Sequence, residues 1–325
     1  MSAARASHLP VRIVRVGATL VVAVFELIVA STSTSRSLHA QQAPEYGPPK
    51  GALVIAGGGQ LAGTGITERF IELSGGPNAK IVIVPTAGGN RREDGTLIPY
   101  DAERVLASWK ARGLTNVHML HTHDRNIADT DSFASVLRDA GGVWFNGGRQ
   151  WNIVDSYAGT RTYRAFHDVL ARGGAIGGSS AGATIQGAYL VRGATAGPQI
   201  MMTDEPNHQE AFNFLRRSAI DQHVDARNRW NDLIPVIDRF PDYIGIGISE
   251  GTAIVVRGDS FEVMGKADVA VHDRTRSSAA GAPPFIKLPP GSRYDLRARE
   301  TTVLGTAAPR EAAPRADSLS AARLR

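Results

Sequence analysis

The 325-residue chain contains no cysteine. That excludes disulfides, thiolate zinc sites and every mechanism that starts from a cysteine nucleophile, so covalent chemistry must use oxygen or nitrogen. An excess of one charge is also missing: 36 basic against 31 acidic side chains leave +5. Residues 1–40 carry four arginines and one glutamate, so the rest of the chain stands at +2. A chain so near neutrality lacks the basic field of a nucleic-acid-binding protein, and no nucleic-acid partner is expected. Long apolar runs are absent too. "VGATLVVAVFELIVA" (16–30) is interrupted by Glu26 and falls short of the roughly 20 residues a permanent membrane span requires. With Arg5, Arg12 and Arg15 ahead of it and "SLHA" closing at Ala40, residues 1–40 read as an export signal, which places the mature chain in the periplasm or outside the cell.

What is present begins with a hydrophobic content of 42%, enough for a substantial core. Residues 41–50, "QQAPEYGPPK", read as a proline-rich linker, 51–305 as one folded domain, and the alanine-, proline- and arginine-rich 306–325 as a disordered tail. "ALVIAGGG" and "KIVIVPTAGG" are β-branched runs closed by glycines, as expected of strands buried on both faces. Helical periodicity at "GITERFIELSGG", "DAERVLASWKARG", "DSFASVLRDAGG" and "RTYRAFHDVLARGG" alternates with strands at "NVHMLH", "VWFNGG" and "GAIGGS". The alternation predicts an α/β fold with a mostly parallel sheet. From "GISEGTAIVVRGDSFEVMGKADVAVHD" onward strands follow one another directly, which predicts an antiparallel C-terminal extension.

The segment "AIGGSSAGATIQG" places Gly178, Ser180 and Gly182 as G-x-S-x-G between a strand and a helix. A sharp turn there projects a serine, and small neighbours let the backbone pass itself. Ser180 is therefore the candidate nucleophile and Ser179 a filler. The N–H of Ala181 at the helix start can donate to an oxyanion. Among nine histidines, His223 in "DQHVDARNR" lies in a polar, arginine-bearing segment, whereas His167 sits in a helical run. Glu250 in "GIGISEGTAIVV" closes an apolar strand, where it can orient an imidazole. The order serine, histidine, glutamate differs from that of α/β-hydrolases.

Four ordered segments, "VIAGGG", "FNGGRQ", "GGSSAGA" and "DQHVDARNR" followed by "GIGISEGTAIVV", resemble cyanophycinases and their relatives the aspartyl dipeptidases (dipeptidase E) over about residues 51–275. The resemblance implies a single flavodoxin-like domain, of the class I glutamine amidotransferase-like type, with three α/β/α layers. It also implies no metal or cofactor and often a homodimer. By the same resemblance Ser180 is nucleophile, His223 base and Glu250 orienting acid. Gly147 and Gly148 close the strand of "FNGGRQ", so the Gly148 N–H can join that of Ala181 in an oxyanion hole, the alternative being a plain tight turn. Gln150, Asp221, Gln222, Arg227 and Arg229 fall on substrate-binding positions, where an arginine fork can grip a carboxylate. The implied substrate is a peptide or polymer with an aspartyl linkage, cut as a β-Asp-Arg unit or as a small α- or β-aspartyl peptide. Three positions depart from the pattern: Val224 replaces a phenylalanine, Asp232 stands where a third arginine is usual, and Ser249 replaces an aspartate.

Other readings remain beside this one. "GGGQLAG" (Gly57, Gly59, Ala62) approximates a dinucleotide fingerprint, but the following strand ends without the acidic residue that would bind a ribose. His118, His121, His123 and Asp124 in "HMLHTHD" form a potential metal cluster. A catalytically inactive secreted binding module on the same scaffold is the non-enzymatic alternative.

Overall fold

The computed structural model describes residues 43–89, 94, 96, 98–275 and 283–302. The export signal read over 1–40 and the tail read over 306–325 lie outside the described residues. Among the described residues, no helix is long and apolar enough to cross a membrane.

Five short strands form the parallel centre: β1 (Ala52–Ala56), β2 (Ile81–Val84), β3 (Val117–Met119), β4 (Gly142–Phe145) and β5 (Ala175–Ser179), in the order β1-β5-β4-β2-β3. Because side chains alternate along a strand, β1 sends Leu53 and Ile55 into one core and Val54 and Ala56 into the other. The Val54 side is closed by α1 (Ile66–Leu73) and α2 (Ala102–Lys110), through Phe70, Leu106 and Trp109. Beyond β3 come two short helices, α3 (Arg125–Ala128) and α4 (Asp131–Ala134), and a 3-10 turn at Ser135–Leu137, where the sequence predicts one longer helix. The Leu53 side is closed by α5 (Gln150–Tyr157) and α6 (Arg161–Ala171), through Ile153, Tyr157 and Phe166. The result is a three-layer α/β/α arrangement, with α7 (Ala181–Thr184) leaving the end of β5.

The later strands divide between two sheets. β6 (Ser218–Gln222) is followed by α8 (Ile234–Arg239), then β7 (Ile244–Ile248) and β8 (Thr252–Arg257). β9 (Ser260–Gly265), β10 (Val269–Asp273), β11 (Phe285–Leu288), β12 (Arg293–Asp295) and β13 (Glu300–Thr302) complete the set. β8 pairs antiparallel with β1, and β9, β12 and β13 carry that sheet outward as the expected antiparallel extension. β7 and β10, also expected there, instead join β6 and β11 in a separate four-stranded sheet in which β6 and β7 run parallel.

The proline-rich stretch is not a free linker over its described part. Tyr46 is buried, its N–H donates to Asp259 and the Gly47 N–H to the Gly258 carbonyl. Arg216 donates to the carbonyls of Pro44, Glu45 and Gly47, and Arg217 pairs with Glu45. Proline and glycine excluded a strand here, and a buried aromatic with an arginine reaching three carbonyls replaced the strand's contacts.

Candidate active site

Ser180 sits between β5 and α7 with φ 56° and ψ −115°. This lies outside the small left-handed region open to L-residues, and such strain typically costs about 1–3 kcal/mol. The flanking glycines make the turn sterically accessible. A Cβ at Gly178 would lie 2.2 Å from the Gly182 carbonyl oxygen, and one at Gly182 would lie 2.1 Å from that of Phe145. The Ser180 N–H is anchored on the Ala56 carbonyl at 3.0 Å.

His223 follows β6 and Glu250 follows β7. The two strands pair in register, Gln222 opposite Ile248, so the residues beyond their ends emerge side by side. The His223 Nε2 is 2.8 Å from the Ser180 Oγ, and its Nδ1 is 2.5 Å from the Glu250 Oε1. Asp225 accepts from the Glu250 N–H at 2.9 Å. The "VIAGGG" loop after β1 lies against both groups: Cβ atoms at Gly58 and Gly59 would fall 2.2 Å from the His223 Cε1 and 2.7 Å from the Glu250 Oε2. Burial pushes the His223 imidazole below its ordinary 6.5. The hydrogen bond to Glu250 opposes that push, and the charges of Arg227 and Arg229 reinforce it. The arrangement can therefore present a neutral imidazole to the serine hydroxyl.

Gly147 faces the nucleophile, since a Cβ there would lie 3.2 Å from that of Ser180. Gly148 has φ 147°, and a Cβ on it would meet the Ala87 carbonyl oxygen at 2.2 Å. Among the described residues, neither the Gly148 nor the Ala181 N–H has a hydrogen-bond partner. Gln150 is buried, and its amide nitrogen donates to the carbonyls of Val191 (2.8 Å) and Arg192 (2.7 Å), which ties the turn to a neighbouring segment. Asp221 is fully buried in a bidentate pair with Arg192, at 2.9 and 2.8 Å, so its oxygens face this arginine. Asp232 accepts from the same guanidinium at 2.5 Å. The acid standing at the usual arginine position thus meets a cation supplied by another segment. Gln222 is buried beside His223 with an Oε1 that has no partner among the described residues. Arg227 is exposed, whereas Arg229 is half-buried, 4.0 Å from Asp221. Sequence reasoning missed Arg192, because a single arginine in a stretch without periodicity carries no signal of its partners.

The competing motifs resolve into local packing. Gly57 abuts the Ser249 carbonyl, where a Cβ would lie at 2.2 Å, and α1 begins only at Ile66. His118 bonds Asn116 at the surface, His121 bonds Thr86, and His123 bonds Ser156. Burial, with His123 alongside, brings the His121 imidazole down to about 4. Among the described residues, no group of three or more histidine, aspartate or glutamate side chains is placed to hold a metal ion.

The sequence model of peptidase family S51 matches residues 53–264, a span that contains Ser180, His223 and Glu250. The cyanophycinase of Geminocystis herdmanii is 26% identical over 230 residues, 69% of this chain and 81% of that one. The cyanophycinase of Trichormus variabilis is 27% identical over 255 residues, 76% of this chain and 82% of that one. Among solved structures, a peptidase from an acI-B1 Actinobacterium superposes with a TM-score of 0.57 at 23% identity, covering 76% of this chain and 97% of that one, a likeness of fold.

Proposed function

Because the chain belongs to peptidase family S51 and is a serine-type peptidase by that membership, we propose that it hydrolyses a (β-)aspartyl amide bond through a Ser180 acyl-enzyme. The observation that carries this reading is the continuous hydrogen-bonded path from Ser180 through His223 to Glu250, at 2.8 and 2.5 Å. As the Ser180 Oγ attacks the scissile carbonyl, its proton passes to the His223 Nε2, while Glu250 holds the Nδ1–H tautomer. The N–H groups of Gly148 and Ala181 receive the oxyanion, each such donor being typically worth about 3 kcal/mol. The imidazolium then protonates the departing amine, and a water molecule, deprotonated by the same nitrogen, releases the acyl group. Arg227 and Arg229 receive a substrate carboxylate, Gln222 lies beside them, and Gln150 and Asp221 act by holding neighbouring segments in place. No metal or cofactor enters this scheme. The protein acts after export, and it assembles as a homodimer.

Asp232, standing where an arginine is usual, removes a cation that could hold carboxylates of the polymer, and this favours a small α- or β-aspartyl peptide over cyanophycin. Incubation with cyanophycin, β-Asp-Arg, β-Asp-Leu and Asp-Leu, with released products quantified, ranks these substrates. Ser180→Ala should lower turnover by about 10⁴-fold or more. Undiminished turnover in that variant refutes the acyl-enzyme scheme. A wild-type chain that resists a fluorophosphonate probe is an inactive binding module instead.

A further inference from the structure

Four charged side chains lie behind His223. Arg192, Asp221 and Arg229 are largely withdrawn from water, with side-chain exposures of 2%, 0% and 12%, and Asp232 lies at the rim at 38%. Counted together they are neutral, but their hydrogen bonds are shared unevenly. Arg192 takes both oxygens of Asp221 through its Nε and Nη2, adds Asp232 through Nη2, and donates from Nη1 to the Pro198 carbonyl. Its backbone is held as well: the carbonyl accepts from Gln150 and the N–H donates to Met201. Arg229 is left 4.0 Å from Asp221, and its buried Nη1 has no partner among the described residues. A buried guanidinium N–H without an acceptor is costly unless something arrives to fill it. The Arg229 N–H donates to the carbonyl of Val224, the residue after His223, at 2.7 Å, so this arginine belongs to the turn that follows the imidazole.

We infer that Arg192 is a specificity-determining residue: by taking the hydrogen bonds of Asp221 and Asp232 it leaves the Arg229 guanidinium without a hydrogen-bond acceptor and ready for the carboxylate of an aspartyl substrate. This rests on the aspartyl-peptidase reading above and names the chain's own device for that specificity. Without Arg192, Asp221 would be a fully buried anion with Arg229 as its neighbouring cation, and a movement of about 1 Å would bring the two into a charge-assisted hydrogen bond. Arg229 would then be lost to the substrate. Arg192 acts on the reaction only through Arg229 and is a positioning residue.

The test compares, within each variant, kcat/KM for whichever of β-Asp-Arg, β-Asp-Leu and Asp-Leu the wild-type chain cleaves best and for the same peptide with its free aspartyl carboxylate converted to a carboxamide. A general loss of fold or of triad geometry lowers both values equally and cancels in the ratio. The wild-type chain should favour the carboxylate form. Arg192→Gln should shrink that preference by about tenfold, through KM. Adding both Asp221→Asn and Asp232→Asn, which removes the two anions that Arg192 occupies, should bring the preference back to within about threefold of wild type. Should Arg192→Gln fail to fold, Asp221→Asn alone decides: Arg229 then stays free, so the preference is kept or increased, whereas a fall means that Asp221 serves the substrate directly and overturns the inference. An unchanged ratio in Arg192→Gln, or no recovery when both aspartates are also replaced, overturns it too. If the wild-type chain cleaves none of these dipeptides, this inference falls, and the aspartyl reading falls as well if cyanophycin is also spared.

Discussion

Replacing Gly58 by alanine tests whether the bare backbone after β1 is what allows the imidazole its place. The new Cβ would lie 2.2 Å from the His223 Cε1 and 2.7 Å from its Nε2. Carbon atoms rest about 3.5–4.0 Å apart, so the ring must withdraw by roughly 1.3 Å. The Nε2 to Ser180 Oγ bond is 2.8 Å long, and a retreat of about 1 Å takes it beyond hydrogen-bonding range. Misplacement on this scale costs on the order of 10²-fold, within the roughly 10²–10⁴-fold that a general base contributes. Gly58 also has φ +108°, so alanine adds about 1 kcal/mol or more of backbone strain unrelated to the ring. Gly63 supplies the control: it lies in the same loop with φ +72°, and a Cβ there meets nothing within 4 Å. The assay is the rate of fluorophosphonate labelling alongside a thermal melt. Both variants should melt a few degrees below wild type, Gly63→Ala should label at the wild-type rate, and Gly58→Ala should label about 10²-fold slower. Equal labelling rates for the two alanine variants would refute the steric argument.

The His223 imidazole is depressed first by burial, and activity requires its neutral form, so kcat/KM should fall as pH drops through a midpoint below 6.5. A neighbouring cation disfavours the imidazolium, so Arg227→Gln should move this midpoint upward, and a downward shift in the pH–rate profile would contradict the electrostatic assignment. Arg216→Met removes the donors to Pro44, Glu45 and Gly47. It should lower stability by about 2–4 kcal/mol in urea melts and open residues 43–47 to proteolysis, with little change in labelling of Ser180.

The strand and helix rhythm up to β5 was legible because strands buried on both faces are written as continuous β-branched runs, and amphipathic helices as a 3.6-residue period. Ser180 was legible because G-x-S-x-G records a steric need, visible as the 2.2 and 2.1 Å approaches at Gly178 and Gly182. Glu250 stood out as a polar residue closing an apolar strand, and His223 as the histidine of a polar, arginine-bearing segment. Which sheet a late strand joins was not legible: β7 and β8 are equally apolar, yet one pairs with β6 and the other with β1. Arg192 and Asp221 lie 29 residues apart, and a buried ion pair across irregular chain has no local period to betray it. Asp232 read as a lost positive charge because its partner could not be seen. The described part of the proline-rich stretch read as linker because composition reports the backbone's conformational habits and says nothing of a tyrosine docking into a core.

The site draws its parts from two sheets. Ser180 stands at the end of β5 in the nine-stranded sheet, whereas His223 and Glu250 stand at the ends of β6 and β7 in the four-stranded one. A proton path across such a junction is only as exact as the joint between the sheets, and that joint is the glycine loop. The His223 N–H donates to Gly57 and the Gly251 N–H to Gly58, each at 2.9 Å, while the Gly57 N–H, donating to Thr252 of β8, ties the loop to its own sheet. Backbone bonds of this kind set position more finely than long side chains, because they have no rotamers to lose. They require the loop to lie flush against the imidazole and the carboxylate, which is possible only without Cβ atoms. A dinucleotide fingerprint contains glycines for the same reason, close approach to a backbone, but there the approaching group is a pyrophosphate. Here it is a histidine and a glutamate of the same chain, so the resemblance of "GGGQLAG" to that fingerprint reports how closely the loop is approached and nothing of a nucleotide.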